Sequence, residues 1–308
     1  MNKGIPVALC MLALAASGGA SAAGSAALPR QDGSSITYYL DGNGSRTLLV
    51  LMQGSDCNSV AHNPVINEQF STLLEGADVL TVEKYGLTRA TAWNPAGDSP
   101  DCPESYFSHD SPEQRTRDYL QVIDALAGQH GYEQLVLLGG SEGAVVAALV
   151  ASRREDVSAL VTLNGGGRFF HDDVLYSMAR ELPPAALDEA QAGFLGFRDS
   201  VMNAETMDLR MSGHGFRWWK SMFSLDQRAT LQQVEAPLLI VQAERDESVS
   251  PGLAREQAEQ LREGKSNVDF LLVENVDHKF RDDAGESRTD AVIASVRGWL
   301  GQQRVARN

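Results

Sequence analysis

An unbroken apolar run, Leu135-Val-Leu-Leu138, passes directly into Gly139-Gly140-Ser141-Glu142-Gly143 and from there into Ala144-Val-Val-Ala-Ala-Leu-Val150. The first run has no polar face, which is the pattern of a strand covered on both sides. The second is long enough and alanine-rich enough to be a helix. A chain that makes this change within five residues must turn sharply. Glycines on either side of the serine let strand and helix approach closely enough for that turn. Strand, tight turn and helix around Gly-x-Ser-x-Gly is the setting of a nucleophile elbow, which lifts a serine hydroxyl at the carboxyl edge of a sheet.

The rest of the chain alternates in the way such a sheet requires. Strands are expected at Ser35–Leu40, Thr47–Met52, Val79–Val82, Val157–Leu163, Pro237–Gln242 and Val268–Val273, with a turn at 41–44. Ser111-Pro112-Glu113-Gln114 reads as a helix start with Ser as N-cap and Pro at N1, and Tyr119, Val122, Ile123 and Leu126 recur at helical spacing. Ala254, Ala258 and Leu261 mark a later helix, and Val292, Val296, Trp299 and Leu300 a last one from near Ser287. Residues 23–34 read as a polar, small-residue lead-in and 85–110 as irregular. From 168 to about 233 the alternation is interrupted. Phe169, Phe170, Phe194, Phe197, Trp218, Trp219 and Phe223 gather there, with Leu187, Ala190, Phe194 and Phe197 at helical spacing. This segment reads as an inserted helical cap. The architecture expected is α/β: a mainly parallel sheet with helices on both faces and a helical cap.

The amino terminus reads as a targeting segment. Lys3, the apolar run Ile5–Ala16 and Ala20-Ser21-Ala22 have the order of a signal peptide over residues 1–22, and the apolar run is too short to span a membrane. A mature domain of 23–308 exported from the cell, to the periplasm or beyond, is the expectation. Removal of the segment leaves Cys57 and Cys102 as a candidate disulfide in an oxidising compartment. No cysteine or histidine spacing suggests a metal. The net charge of -15 disfavours nucleic acid and anionic membrane as partners.

A serine hydroxyl needs a base within reach and a third group to orient that base. In a parallel sheet such groups collect at the carboxyl ends of strands. The loop after 237–242 contains Asp246, with Glu244 and Glu247 as rivals, and the loop after 268–273 reads Asp277-His278-Lys279-Phe280. The order Ser141, Asp246, His278, together with the elbow and the Asp-x-x-Val loop at 246–249, resembles the α/β-hydrolase fold serine hydrolases of esterase and lipase type. The resemblance runs from about Thr47 to the last helix. It implies Ser141 as nucleophile, His278 as general base and acid, and Asp246 as orienting acid. It also implies an oxyanion hole from the N–H of Glu142 and an N–H after the strand at 47–52. That second donor is Ser55, with Asp56 as the alternative, because Gln53-Gly54-Ser55 stands where the family often has His-Gly before the donor. The Glu142 side chain is expected to pack away from the substrate. Asp56 beside the hole would disfavour anionic substrates. The activity implied is hydrolysis of a small carboxylic ester without metal or organic cofactor. An aminopeptidase-like enzyme, using Asp172, Asp173 or Asp56 for a substrate amine, and a non-catalytic binding protein are the other readings.

Overall fold

The computed structural model describes residues 24–42, 44–94 and 102–303, and the expected signal peptide lies outside the described residues. In chain order the elements are β1 (Gly24–Pro29), β2 (Ser35–Asp41), β3 (Thr47–Met52), β4 (Asp78–Val82), α1 (Glu104–His109), α2 (Pro112–His130), β5 (Gln134–Gly140), α3 (Glu142–Ala151) and β6 (Ala159–Leu163). The segment α4 (Phe170–Glu181), α5 (Pro184–Asn203), the short hairpin β7 (Arg210–Met211) and β8 (His214–Gly215), and α6 (Phe216–Ser224) comes next. The chain closes with α7 (Gln227–Gln232), β9 (Leu238–Ala243), α8 (Pro251–Arg262), β10 (Val268–Val273) and α9 (Thr289–Gln302).

Eight strands form one sheet in the order β1-β2-β4-β3-β5-β6-β9-β10. From β4 to β10 every pairing is parallel; β1 and β2 are antiparallel. Side chains of β3 alternate between two cores, as the two-residue period of a strand demands. Leu48, Val50 and Met52 join Tyr119, Ile123 and Leu126 of α2, Val146 of α3 and Leu261 of α8 on one face. Leu49 and Leu51 join Phe70, Leu73 and the Val292, Val296 and Leu300 stripe of α9 on the other. A Leu-to-Ala change at such a site typically costs about 2–5 kcal/mol.

The caps of α2 are those its sequence announces. The Ser111 hydroxyl accepts from Gln114 N at 3.2 Å, Pro112 opens the helix, and Gly131 ends it in the left-handed region at φ 63°. The Gln114 side chain does not reach back to close a capping box. It donates to Asp118, which also takes the guanidinium of Arg30 at 2.7 Å.

Two expectations need correction. The lead-in at 24–29 is a strand: β1 pairs antiparallel with β2 at the sheet edge, although Gly-Ser-Ala-Ala-Leu-Pro has little strand propensity. The stretch 85–110 is not wholly irregular, since α1 occupies its end and buries Tyr106 with Cys57 and Leu87. The last helix begins at Thr289, near Ser287 as expected. The cap-like segment has a core of its own, built from Val201, Trp218, Trp219, Met222 and Phe223 with Phe170, Phe194 and Phe197 packed on it. That core ends near Leu225, and α7 sends Leu231 into the sheet's core instead.

Candidate active site

Ser141 sits between β5 and α3 at φ 54° and ψ −125°. A non-glycine residue held there stores roughly 1–3 kcal/mol of strain, and its neighbours over-determine it. Ser141 N donates to Leu163 O of β6 at 2.8 Å, and Ala144 N donates back to Ser141 O at 2.9 Å. The outer glycines are required by close approach. A Cβ on Gly139 would lie 2.0 Å from Gly143 O, and one on Gly143 would lie 2.1 Å from Met52 O at the end of β3. Gly140 has open space around it.

Asp246 follows β9 and is fully buried. Its Oδ1 accepts from Ser248 N at 2.9 Å and Val249 N at 3.0 Å; its Oδ2 accepts from Gln242 Nε2 at 3.0 Å and lies 2.7 Å from His278 Nδ1. The His278 ring is 22% exposed, so one edge faces the carboxylate while the ring still reaches solvent. Of the three acids in this loop only Asp246 meets the histidine. Glu244 accepts from Asn275 N, and Glu247 pairs with Arg180. Asp277 accepts from Lys279 N and Arg281 N, which shapes the loop that carries His278.

Asn164, at the end of β6, ties these pieces together. Its Nδ2 donates to His278 O at 2.9 Å, its Oδ1 accepts from Ala243 N at 2.8 Å, and its backbone takes φ 49°. Leu163 holds the Ser141 amide, so consecutive residues of one strand end grip the serine and the histidine backbones. No hydrogen bond joins Ser141 Oγ to the His278 ring among the described residues.

The loop after β3 lies against the serine. A Cβ on Gly54 would stand 3.3 Å from Ser141 Cβ and 3.9 Å from its Oγ. Ser55 is exposed and Asp56 partly so. The Asp56 carboxylate is 3.3 Å from Lys84 Nζ, which offsets the negative charge expected to repel anionic substrates. Cys57 is joined to Cys102 with their Cα atoms 6.0 Å apart, which anchors this loop to the one before α1.

The Glu142 side chain turns inward, as expected. Its Oε1 accepts from Arg115 Nη1 at 2.7 Å and its Oε2 from Trp218 Nε1 of α6 at 2.7 Å. Burial alone would raise its pKa, but Arg115, Lys84 and the Trp218 N–H hold it below the ordinary glutamate value. Asp110 nearby is the opposite case. Neither of its carboxylate oxygens has a hydrogen-bond partner among the described residues, and burial followed by the Glu142 charge pushes its pKa up. His214 is stacked on Trp218 with ring centroids 3.7 Å apart, and burial lowers its pKa to about 4.

The sequence model of the alpha/beta hydrolase family matches residues 70–294. The chain belongs to the alpha/beta hydrolase family. Solved structures similar to this hydrolase include Est1E from Butyrivibrio proteoclasticus, at 13% identity and TM-score 0.56, covering 91% of this chain and 99% of that one. The Paleococcus ferrophilus monoacylglycerol lipase is 14% identical with TM-score 0.60, covering 87% and 99%. The proline iminopeptidase of Mycobacterium smegmatis is 18% identical with TM-score 0.56, covering 92% and 100%. At these identities the likeness is one of fold. No curated protein matches the sequence.

Among the described residues of the hydrolase no helix is long and apolar enough to cross a membrane, and no group of three or more His, Cys, Asp or Glu is placed to hold a metal. Sequence reasoning singled out Ser141, Asp246, His278, Glu142 and Ser55 and missed Arg115 and Asn164. The only local signal for Asn164 was its place at the end of a strand before three glycines.

Proposed function

We propose that this hydrolase cleaves small carboxylic esters through an acyl-enzyme, with Ser141, His278 and Asp246 as its catalytic triad. The observation that carries the reading is the 2.7 Å contact between His278 Nδ1 and the buried Asp246 carboxylate, in a loop that Asn164 ties to the strand end holding Ser141. A carboxylate on Nδ1 sets the tautomer in which Nε2 is free to accept a proton. Ser141 Oγ attacks the acyl carbon as His278 Nε2 takes its proton. The alcohol leaves with that proton; His278 then draws a proton from the water that attacks the acyl-enzyme and returns it to Ser141 Oγ as the acid is released. The oxyanion is held by the N–H of Glu142 and of Ser55. The Glu142 amide opens α3, where helix N–H groups lack intrahelical acceptors, and it has no backbone partner among the described residues.

Ester rather than peptide chemistry is supported by where two of the three candidate amine-binding acids, Asp173 and Asp56, go. Asp173 is buried and accepts from Gly167 N and Ser250 N at 2.8 Å each, and Asp56 is matched by Lys84. Export is supported by the signal-like amino terminus and by the Cys57–Cys102 disulfide.

A fluorophosphonate probe tests the reading. The wild-type protein should label and Ser141→Ala should not, and p-nitrophenyl esters should be cleaved faster than amino-acid anilides. A folded wild-type protein that fails to label would leave a non-catalytic binding protein. Preference for anilides would make it a peptidase.

A further inference from the structure

Both walls of the proposed oxyanion hole are held by one side chain. Arg115 lies in the first turns of α2 with its guanidinium 2% exposed. Its Nη1 donates to Glu142 Oε1 at 2.7 Å, and its Nη2 donates to the main-chain carbonyl of Gln53 at 2.6 Å. Gln53 O is part of the planar Gln53–Gly54 peptide, so a bond to that oxygen fixes the plane of the whole unit. Gly54 rests directly on Ser141, and Ser55 follows. Glu142 is the first residue past the serine, and its amide is the other donor. The two walls touch, since a Cβ on Gly143 would come within 2.9 Å of Gln53 O. A guanidinium is a planar fork that stays protonated, so it can hold two acceptors at a set spacing. A lysine ammonium cannot reproduce that fork.

We propose that Arg115 is the positioning residue of the oxyanion hole. It keeps the Gln53–Ser55 wall and the Glu142 wall at a fixed separation, and through Glu142 and Trp218 it carries the constraint into cap helix α6. The proposal rests on reading the chain as a serine ester hydrolase with these donors. Its effect belongs to kcat. The oxyanion exists only after attack, so misplaced donors raise the barrier while the ester itself binds as before.

Arg115→Met alone would strand Glu142 as a buried, unpaired carboxylate. The test therefore uses the double variant Arg115→Met/Glu142→Gln, in which both charges leave together and Trp218 still has an amide oxygen to donate to. Arg115→Lys is the second variant. The readouts are kcat and KM on p-nitrophenyl esters, the Ki of a trifluoromethyl ketone that forms a tetrahedral oxyanion on the serine, and the unfolding midpoint. Loss of one oxyanion donor lowers kcat by about 10²–10³-fold. Displacing two without removing them should lower it by about 30–300-fold in the double variant and by about tenfold in Arg115→Lys. The ketone's Ki should rise by the same factors while KM stays within about threefold. A folded double variant with kcat within about threefold of wild type overturns the proposal, as does a KM that rises in step with the Ki. Should the double variant fail to fold, Arg115→Lys decides by the same criteria. A wild-type protein that neither labels nor hydrolyses esters overturns the ester hydrolase reading and this proposal with it. That outcome is distinct, because it appears before any variant is compared.

Discussion

Two buried carboxylates flank Ser141, and they are held in opposite ways. Asp246 follows β9 and faces an imidazole that still reaches solvent. Glu142 follows the serine itself and faces a guanidinium and an indole that are both buried. An imidazole can take up and release a proton near neutral pH, whereas a guanidinium cannot lose one in a protein and an indole only donates. In the proposed mechanism the same functional group therefore serves chemistry in one place and architecture in the other. What separates them is the partner: its ability to change protonation state and its access to a reacting molecule. Nearness to the serine does not decide it, since Glu142 is the nearer in sequence.

The largest effect should come from the side proposed to move protons. Asp246→Asn is expected to lower kcat by about 10³–10⁴-fold, because the amide favours the wrong imidazole tautomer. The unfolding midpoint should shift little by comparison. Steady-state kinetics beside a urea titration check this, and a loss of stability without a loss of kcat would erase the contrast between the two acids.

Glu142→Gln should show the reverse balance. Breaking a buried pair leaves Arg115 uncompensated and costs about 3 kcal/mol of unfolding free energy. The fall in kcat should stay under about tenfold, because Arg115 keeps its bond to Gln53 O. Measuring both quantities on one preparation is the check. A fall in kcat as deep as that of Asp246→Asn would make Glu142 part of the chemistry.

The smallest effect concerns Asp173 of α4, a third buried acid, which has no basic partner among the described residues. Burial raises its pKa from 3.8 to about 7, against the opposing hydrogen bonds from Ser250 N and Gly167 N and with added repulsion from Asp172 and Asp246. A carboxyl whose folded pKa is raised binds its proton more tightly when folded. Its stabilisation is complete below the unfolded pKa and is lost as pH rises through about 7. The protein should lose about 2 kcal/mol from this group between pH 5 and pH 8, and Asp173→Asn should remove that part of the dependence. Urea midpoints at the two pH values read it. An unchanged slope in the variant would place Asp173 with the compensated acids.

The reach of sequence reasoning follows the distance over which a signal acts. Ser141, Asp246 and His278 each come just after an apolar run that marks a strand, so a local pattern places all three at one edge of the sheet. Arg115 has no such mark. In sequence it is a charged residue on a helix whose readable face is Tyr119, Val122, Ile123 and Leu126, and its partners lie 27 and 62 positions away. Trp218 reads as one more aromatic residue in an aromatic segment, although its indole N–H reaches Glu142. Strand β1 was hidden for another reason. Its residues have little preference for extended structure, and pairing with β2 supplies the hydrogen bonds that hold them. Helix α1 lies beyond a Pro-rich loop, and its Tyr106 becomes core only by meeting Cys57 and Leu87.

By itself the sequence determined the alternation of strands and helices, the elbow with its glycines and the order of serine, acid and histidine. These follow from periodicity, from backbone sterics and from the rule that reacting groups gather at strand ends, all of which act over a few residues. Only the tertiary structure decided which of three nearby acids meets His278, which way Glu142 turns, and that one arginine grips both the loop after β3 and the start of α3. Those outcomes depend on which buried charge finds which partner once water is excluded. The pairing is set by the packing of α2, α3 and α6 around the elbow, and no single stretch of chain contains it.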